Sequence, residues 1–341
     1  MRNLLIASLA AVASLLTACA ASPDGVGSQP SSSLPDLRHA PTDPGLPAST
    51  ARVQHDYVIH SIDLGASRAE AWKDLGLDID GKVTAAASAS ARGTASIPGA
   101  VDTGGPANGL CQVAEGAPQT THEDGVDGID NAFGSQLLPA LVAVGGSDLQ
   151  SQLDATLASG QQTSLLSVTG IAPTGEATVS AALGGLPLDR AWVSDGALVV
   201  STSPGEYELV LGAVMSDKGE PVQLVLPVTH VQIVAPLSDD RAHIRQGVFS
   251  GILPAGKTAV AVQSFVTKIL HDPPQWVLDA LEQTVHQASD ILVDGTQDPK
   301  RGCDGISVGF KFDADGTSKP LSPRSPLPLP RPADAPFARV R

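Results

Sequence analysis

The chain has 341 residues, including 34 Gly and 27 Pro, and only 3% of its residues are aromatic and 17% are charged. Hydrophobic residues make up 42% of the sequence, which is enough to form a buried core and excludes a fibrous or fully disordered protein. The 36 acidic and 21 basic residues give a net charge of −15, which argues against nucleic acid as a partner, because binding to a polyanion requires a basic surface.

Residues 1–18 have the layout of a signal peptide. Arg2 supplies a positive start, and residues 4–16 form an almost wholly apolar run. This run is too short to span a membrane, which requires about 20 apolar residues. It ends in Leu16-Thr17-Ala18-Cys19, which resembles the lipobox of bacterial lipoproteins. The alternative is an ordinary secretory signal with an incidental cysteine.

The lipobox resemblance implies cleavage before Cys19 and acyl chains, such as palmitate, on that cysteine. Several acyl chains would hold the protein on a membrane, since each buried CH₂ contributes about 0.8 kcal/mol. The next residue is Ala20, whereas lipoproteins retained in the inner membrane often have Asp there. The resemblance therefore implies a lipid-anchored protein of the cell envelope, at the outer membrane, facing the periplasm or the surface.

Two cysteines remain after Cys19 is assigned to the lipid. A compartment outside the cytoplasm is oxidising, so we predict a disulfide between Cys111 and Cys303. The alternative is two buried free thiols. Neither cysteine lies in a recognisable nucleophile motif.

Composition divides the rest of the chain into three parts. Residues 19–52 are rich in Ser, Pro, Gly and Asp without a hydrophobic period, which predicts a disordered tether. Residues 319–341 contain seven prolines and five basic residues, which predicts an extended, disordered tail, solvated or lying on anionic groups. Residues 53–318 form a single predicted β-rich domain.

Helices and loops of this domain are predicted from capping signals and apolar spacing. A capping box at residues 67–70 predicts a helix over 67–75, and leucines four residues apart predict another over 147–159. Further helices are expected over 258–270 and 274–291, the last of which should bury Trp276. Residues 84–109 are rich in Ala, Ser, Gly and Pro, which predicts a long mobile loop.

Strands are predicted where short apolar runs alternate with turn residues. These runs cover residues 57–62, 165–168, 177–182, 198–202, 207–214, 222–226, 228–234, 244–253 and 306–312. Regular spacing of this kind is typical of an antiparallel sandwich or barrel. We therefore predict a mainly β fold with accessory helices, of the α+β class, forming an antiparallel β-sandwich or a barrel-like domain.

The densest chemical signal is an acidic, glycine-rich loop at residues 123–131. It contains Asp124, Asp127, Asp130 and Asn131, and a second acidic turn contains Asp78 and Asp80. Oxygen ligands on flexible loops suit Ca²⁺, so we predict these six residues as a calcium site. Neither this second turn nor a similar one at 313–316 has the Glu that completes an EF-hand loop. In the alternative interpretation all of these are solvated turns in which Asp-Gly adopts positive φ.

Several of these motifs occur in one order along the chain. They are G-L-D-I-D-G-K at 76–82, Cys111, D-G-V-D-G-I-D-N-A-F-G at 124–134, A-S-D-I-L-V-D-G-T at 288–296 and C-D-G-I-S-V-G-F at 303–310. As a set they resemble a group of bacterial outer-membrane lipoproteins without an assigned activity. The resemblance implies one β-rich, disulfide-closed domain and says nothing about catalysis.

The sequence has no H-E-x-x-H zinc motif, and its Gly-rich segment at 104–109 lacks the Lys-Ser/Thr of a P-loop. The string Gly247-Val248-Phe249-Ser250-Gly251 places its Ser one position too late for the G-x-S-x-G elbow of hydrolases. The sequence therefore favours a non-enzymatic envelope protein that binds or scaffolds another molecule and contacts the membrane through its lipid. The alternatives are an extracellular hydrolase that uses clustered carboxylates and a purely structural envelope protein.

Overall fold

A computed structural model describes residues 44–320, with gaps at 67, 69, 85–108, 119, 146–148, 159–163, 173–174, 204, 216–220 and 271. The predicted signal peptide, Cys19, most of the tether and residues 321–341 of the tail lie outside the described residues. The predicted loop over 84–109 also lies almost entirely outside them.

Nine strands make up most of the described chain. They are β1 (Val53–Asp63), β2 (Ser164–Thr169), β3 (Ala177–Leu183), β4 (Leu186–Ser194), β5 (Ala197–Ser203), β6 (Tyr207–Met215), β7 (Pro221–Pro236), β8 (His243–Pro254) and β9 (Gly305–Pro320). The α-helices of the described residues are α1 (Leu138–Gly145), α2 (Leu149–Ala158), α3 (Ala255–Leu270) and α4 (Gln275–Gln287). A 3-10 turn at Ala71–Asp74 and a π-helical turn at Phe133–Leu137 complete the elements used below.

The strands form one antiparallel sheet that closes on itself. Its order is β5-β4-β3-β2-β1-β9-β8-β7-β6, and a further pairing of β5 with β7 joins the two sides. Eight strands therefore form a closed barrel, while β6 lies outside the ring, next to β7. The predicted mainly β, α+β fold is confirmed, and of the two arrangements expected the structure has the barrel.

Strand β7 belongs to both parts of the sheet. Its residues 221–228 pair with β6, and residues 231–236 pair with β5. His230, between the two stretches, has a positive φ of 53°, a backbone conformation that non-glycine residues adopt rarely. The bend at this residue sends the first half of β7 out of the barrel, where it forms a hairpin with β6.

Side chains alternate between the two faces of the strands, so the apolar residues form one cluster inside the barrel and another on its outer face. The barrel interior contains the inward side chains of β1 and β9, with Phe249 and Phe310 stacked at a centroid distance of 4.4 Å. A smaller cluster lies on the outer face and includes Leu77, Trp192 and Val248, with Leu46 packed against it. The outer cluster shows that part of the barrel surface is covered by segments that precede β1 and follow it.

Helices cover part of the sheet, either directly or through another helix. Helix α2 contacts β1 and β6, α3 contacts β7, and α4 packs on α3. The Gln150 side chain fastens α2 to the end of β1, because it donates to the Ile62 carbonyl and accepts the Leu64 N–H. None of the helices described here has the length and apolar character needed to cross a membrane.

The expected burial of Trp276 is wrong, since this side chain is 51% exposed. Helix α4 buries Val277, Leu281 and Val285, which follow one another at intervals of four residues. A helix has 3.6 residues per turn, so Trp276 is rotated away from this face towards solvent. The helix itself was predicted over 274–291 and is observed over Gln275–Gln287.

Other differences concern element boundaries. The tether predicted over 19–52 ends earlier than expected, because its last residues are bonded to β3. The Ser49 N–H donates to the Thr178 carbonyl, and the Thr178 N–H donates to the Pro47 carbonyl. The helix predicted over 67–75 is reduced to the 3-10 turn at Ala71–Asp74, and the helix predicted over 258–270 begins earlier, at Ala255. Strand β4 and helix α1 were not predicted.

Candidate metal centre

The acidic residues lie in a layer of loops on the outer face of the barrel. One loop follows the 3-10 turn and is held to β8 because the Leu77 N–H donates to Ser250 Oγ at 2.7 Å. It also crosses β9 closely at Gly309, where a Cβ atom would lie 2.4 Å from the Leu75 carbonyl oxygen. Only glycine permits this approach, so the sequence of β9 determines how near the loop lies to the barrel.

The second acidic loop is fastened by Asn131. Its Nδ2 donates to the carbonyl oxygens of Leu75 and Gly309, at 2.9 and 3.2 Å. Its Oδ1 accepts the N–H groups of Gly134 and Gly309, at 3.0 and 3.2 Å. Asn131 was predicted as a metal ligand, and in the structure both of its polar atoms bind backbone. It joins the two loops to β9.

Three of the predicted carboxylates converge between these loops. Asp78, Asp80 and Asp130 each place one oxygen within 4.8 Å of the other two. Asp78 and Asp130 are only 4% exposed, and Asp80 is partly buried. Residues 78 and 130 come from different loops, so the barrel surface beneath them, and not their spacing in the sequence, brings them together.

Backbone N–H groups orient these carboxylates. Asp130 Oδ2 accepts the N–H groups of Ile79 and Asp80, at 2.6 and 3.2 Å. Asp78 Oδ1 accepts the N–H of Gly81 at 2.7 Å, which closes the first turn. These hydrogen bonds hold the oxygens in fixed positions at low conformational cost.

The other two predicted carboxylates are placed differently. Asp124 is partly buried beside the group, and its Oδ2 accepts the Thr84 N–H. Asp127 is exposed and has a φ of 56°, and Gly128 follows with a φ of 91°. Two successive residues with positive φ form a tight turn, so at Asp127 the geometry fits the alternative interpretation of a solvated Asp-Gly turn.

Asp290 also lies in this region, although the sequence did not predict it as a site residue. It lies in the loop after α4 and is buried, with its carboxylate bound to the N–H and Oγ of Ser307 at 2.9 and 2.6 Å. Ser307 Oγ also accepts the Ala132 N–H. The available signal was Ser307 itself, a small polar residue that alternates with the apolar residues of β9 and therefore points outward.

The carboxyl groups hold their protons unusually tightly. Burial, together with the charges of neighbouring Asp side chains, raises the pKa of Asp124 to about 8 and that of Asp290 to about 7. Burial raises the pKa of Asp130 well above its usual value, and the nearby charges of Asp80 and Asp290 add to this effect. Full ionisation of the group is therefore unfavourable unless a cation compensates the charge.

Few cationic side chains of the described residues lie where they could compensate this charge. Among the described residues no Lys or Arg forms an ion pair with Asp80, Asp124 or Asp130. The nearby Lys82 donates instead to the Gly109 carbonyl at 2.6 Å, and Lys73 pairs with Glu70 and Glu123. Buried carboxylates are normally paired or coordinate a metal, so this arrangement suits a bound cation.

The disulfide between Cys111 and Cys303 closes one side of this region, which confirms the prediction. Gln297 connects it to the acids, because its Oε1 accepts the Cys111 N–H and its Nε2 donates to Asp80 Oδ2 at 2.7 Å. His122 lies beside the same bridge, 3.9 Å from Cys303 Sγ. Because both sulfurs are oxidised, they provide no thiolate ligand for a metal, and the bridge acts as a staple.

Comparison with known protein families, with characterised proteins and with solved structures finds no match to this chain.

Proposed function

We propose that this protein is a lipid-anchored envelope protein of the outer membrane, whose barrel domain binds or scaffolds another molecule without catalysis. We further propose that a divalent cation, Ca²⁺ in the first place, stabilises its outer loop layer. The observation that supports the cation is the convergence of Asp78, Asp80 and Asp130 within 4.8 Å. The lipobox ahead of Cys19 supports the anchor.

The chemistry of the ligands selects the type of cation. All three groups offer carboxylate oxygen, and Asp124 is near enough for its charge to act on Asp130. Hard oxygen ligands favour Ca²⁺ or Mg²⁺ over Zn²⁺, which prefers nitrogen and sulfur. Ca²⁺ accepts irregular geometry from flexible loops more readily than Mg²⁺, which requires a near-ideal octahedron.

The same geometry argues against the hydrolase alternative. A glycosidase places two carboxyl groups about 5 to 10 Å apart on opposite sides of a substrate cleft. Here Asp78 and Asp130 lie buried in one group, and backbone N–H groups already occupy one oxygen of each. Such a group is arranged around a point and not across a cleft.

Thermal unfolding of the full mature chain with Cys19→Ser tests the cation. We expect 1 mM CaCl₂ to raise the melting temperature by several degrees relative to EDTA, since a ligand at about 100 times its Kd adds about 2.7 kcal/mol. Asp130→Asn should reduce this shift strongly, because it removes one charge while keeping an acceptor for Ile79 and Asp80. The matched control is Asp279→Asn on exposed helix α4, which should leave the shift unchanged.

Equal melting temperatures of the Cys19→Ser chain in CaCl₂, MgCl₂ and EDTA would refute the cation. The anchor has a separate test, because native Cys19 should place the protein in the membrane fraction of a bacterial host. Recovery of the Cys19 protein outside that fraction would refute the anchor and leave the cation question open.

A further inference from the structure

The interior of the barrel contains a cavity of about 380 Å³. This volume falls within the range of roughly 300 to 1,000 Å³ that small-molecule sites occupy. The interior of an eight-stranded barrel is just wide enough either to be filled by side chains or to hold one small ligand. The cavity is distinct from the acidic loop layer, because its lining comes from inward positions of the strands.

Apolar side chains line nearly all of this space. Ile59, Leu166, Ile233, Phe249, Phe310 and Phe312 contribute from β1, β2, β7, β8 and β9. The lining residues with polar side chains are Glu206, Tyr207 and Glu208, all at the start of β6. The Tyr207 hydroxyl already donates to the Pro187 carbonyl at 2.9 Å. Water inside would therefore find few partners, which favours an apolar occupant.

The mouth of the cavity is marked by exposed lining residues. Gly184 and Leu186, from the turn between β3 and β4, face the first residues of β6 across it, and Leu186 is 48% exposed. The bond from Tyr207 to Pro187 ties the two sides together. An exposed leucine on the rim of an apolar cavity is expected where an apolar molecule enters.

Charge at the mouth selects the head group. Glu206 is paired with Lys257, and Glu208 is exposed without an ion-pair partner among the described residues. Among the described residues of the rim, Glu208 therefore carries a negative charge that no Lys or Arg pairs with. A carboxylate or phosphate head would meet repulsion there, whereas a neutral or cationic head would not.

We propose that the barrel binds one single-chain amphiphile, with its hydrocarbon chain in the cavity and a neutral or cationic head group at Glu208. This site goes beyond the cation proposed for the loop layer and does not depend on it. It gives the predicted binding domain a ligand class that a lipid-anchored protein would encounter in its membrane.

Calorimetric titration of the full mature Cys19→Ser chain tests the site with three probes of equal chain length. Decylamine, decanol and decanoate have ten carbons each and carry a cationic, a neutral and an anionic head group. We expect the first two to bind with a negative heat capacity change and decanoate to bind about fivefold more weakly than decylamine. Titrations in EDTA and in CaCl₂ should agree, so failure of the cation proposal would not affect the result.

Two variants locate the binding. Leu183→Trp at the half-buried mouth should abolish binding by filling the opening, whereas the control Val260→Trp, on the exposed face of α3, should not. Glu208→Gln should remove the preference for decylamine over decanoate while decanol binding stays the same. Its control is Glu282→Gln on α4. Far-UV circular dichroism checks that each variant is folded.

Failure of decylamine and decanol to bind the Cys19→Ser chain would overturn the proposal. So would unchanged binding in folded Leu183→Trp, which would place the probes elsewhere. Equal affinity for decylamine and decanoate would overturn the assignment of the head group to Glu208.

Discussion

The two sides of strand β9 carry opposite chemistry. Its inward residues, such as Phe310 and Phe312, line the apolar interior of the barrel. Its outward residues Ser307 and Gly309 hold the acidic loops through hydrogen bonds to Asp290 and Asn131. Since successive side chains of a strand point to opposite faces, one sequence of alternating residues supports both regions at once.

The two regions depend differently on pH and on cations. Apolar burial in the barrel contributes about 25 cal/mol per Å² and involves no titrating group. The loop layer contains buried carboxyl groups whose charge costs free energy unless a proton or cation is present. We therefore expect the barrel to be insensitive to cations and pH, and the loop layer to respond to both.

Phe310→Ala should have the largest effect on stability. It removes a side chain that stacks on Phe249 in the interior, and truncation of a buried Phe costs about 3 to 5 kcal/mol. Urea unfolding should show this loss equally in EDTA and in CaCl₂, because the change lies in the barrel. A loss that depended on Ca²⁺ would show that the two faces of β9 are coupled.

Removal of the disulfide should come next. The double variant Cys111→Ser, Cys303→Ser loses a bridge that closes a long loop, at a cost of about 2 to 4 kcal/mol. In contrast to Phe310→Ala, it should also reduce the stabilisation by CaCl₂, because Gln297 connects the backbone of Cys111 to Asp80. An unchanged Ca²⁺ effect in this variant would place the bridge outside the cation site.

The smallest effect is a change of stability with pH in EDTA. The raised pKa values of Asp124, about 8, and Asp290, about 7, mean that the folded state binds more protons than the unfolded state near pH 7. These two groups should therefore make stability fall by about 2 to 3 kcal/mol as pH rises from 6.5 to 8.5. Burial lowers the pKa of His55, His122 and His230, so these groups make stability rise with pH around their unfolded pKa of about 6.5 and oppose the fall only at the lower end of this window.

Urea unfolding at pH 6.5, 7.5 and 8.5 measures this slope. Saturating Ca²⁺ should flatten it, because the cation replaces the protons. Phe310→Ala should leave the slope unchanged, whereas Asp130→Asn should reduce it. A stability that rises with pH in EDTA would contradict the assignment of buried, protonated carboxyl groups to the loop layer.

Local patterns predicted much of the barrel. Alternation along residues 306–312 predicted the inward and outward faces of β9. The nine apolar runs predicted eight of the nine described strands, because two of the runs belong to β7. Strand β4 was missed because Pro187, Asp189 and Arg190 interrupt its apolar pattern. The π-helical turn that leads into α1 was missed because it has no capping signal, and its shape follows from packing under Asn131.

For the acidic region, the sequence identified the residue types and not their arrangement. Six residues were predicted as ligands: Asp78, Asp80 and Asp130 converge, Asp124 lies beside them, Asp127 forms a turn and Asn131 binds backbone. Asp290 was not predicted, because a single aspartate after a helix has no local signal. Its role arises from its contact with Ser307, on a strand that begins fifteen residues later.

The sequence by itself determined the strand alternation, the pairing of the two remaining cysteines and the acidic character of the loops, since these depend on local period and composition. Only the tertiary structure decided that the sheet closes into a barrel, that its interior keeps a cavity, and which carboxylates meet. The physical reason is that closure and convergence depend on contacts between residues far apart in the chain, such as β5 with β7 and Asp78 with Asp130.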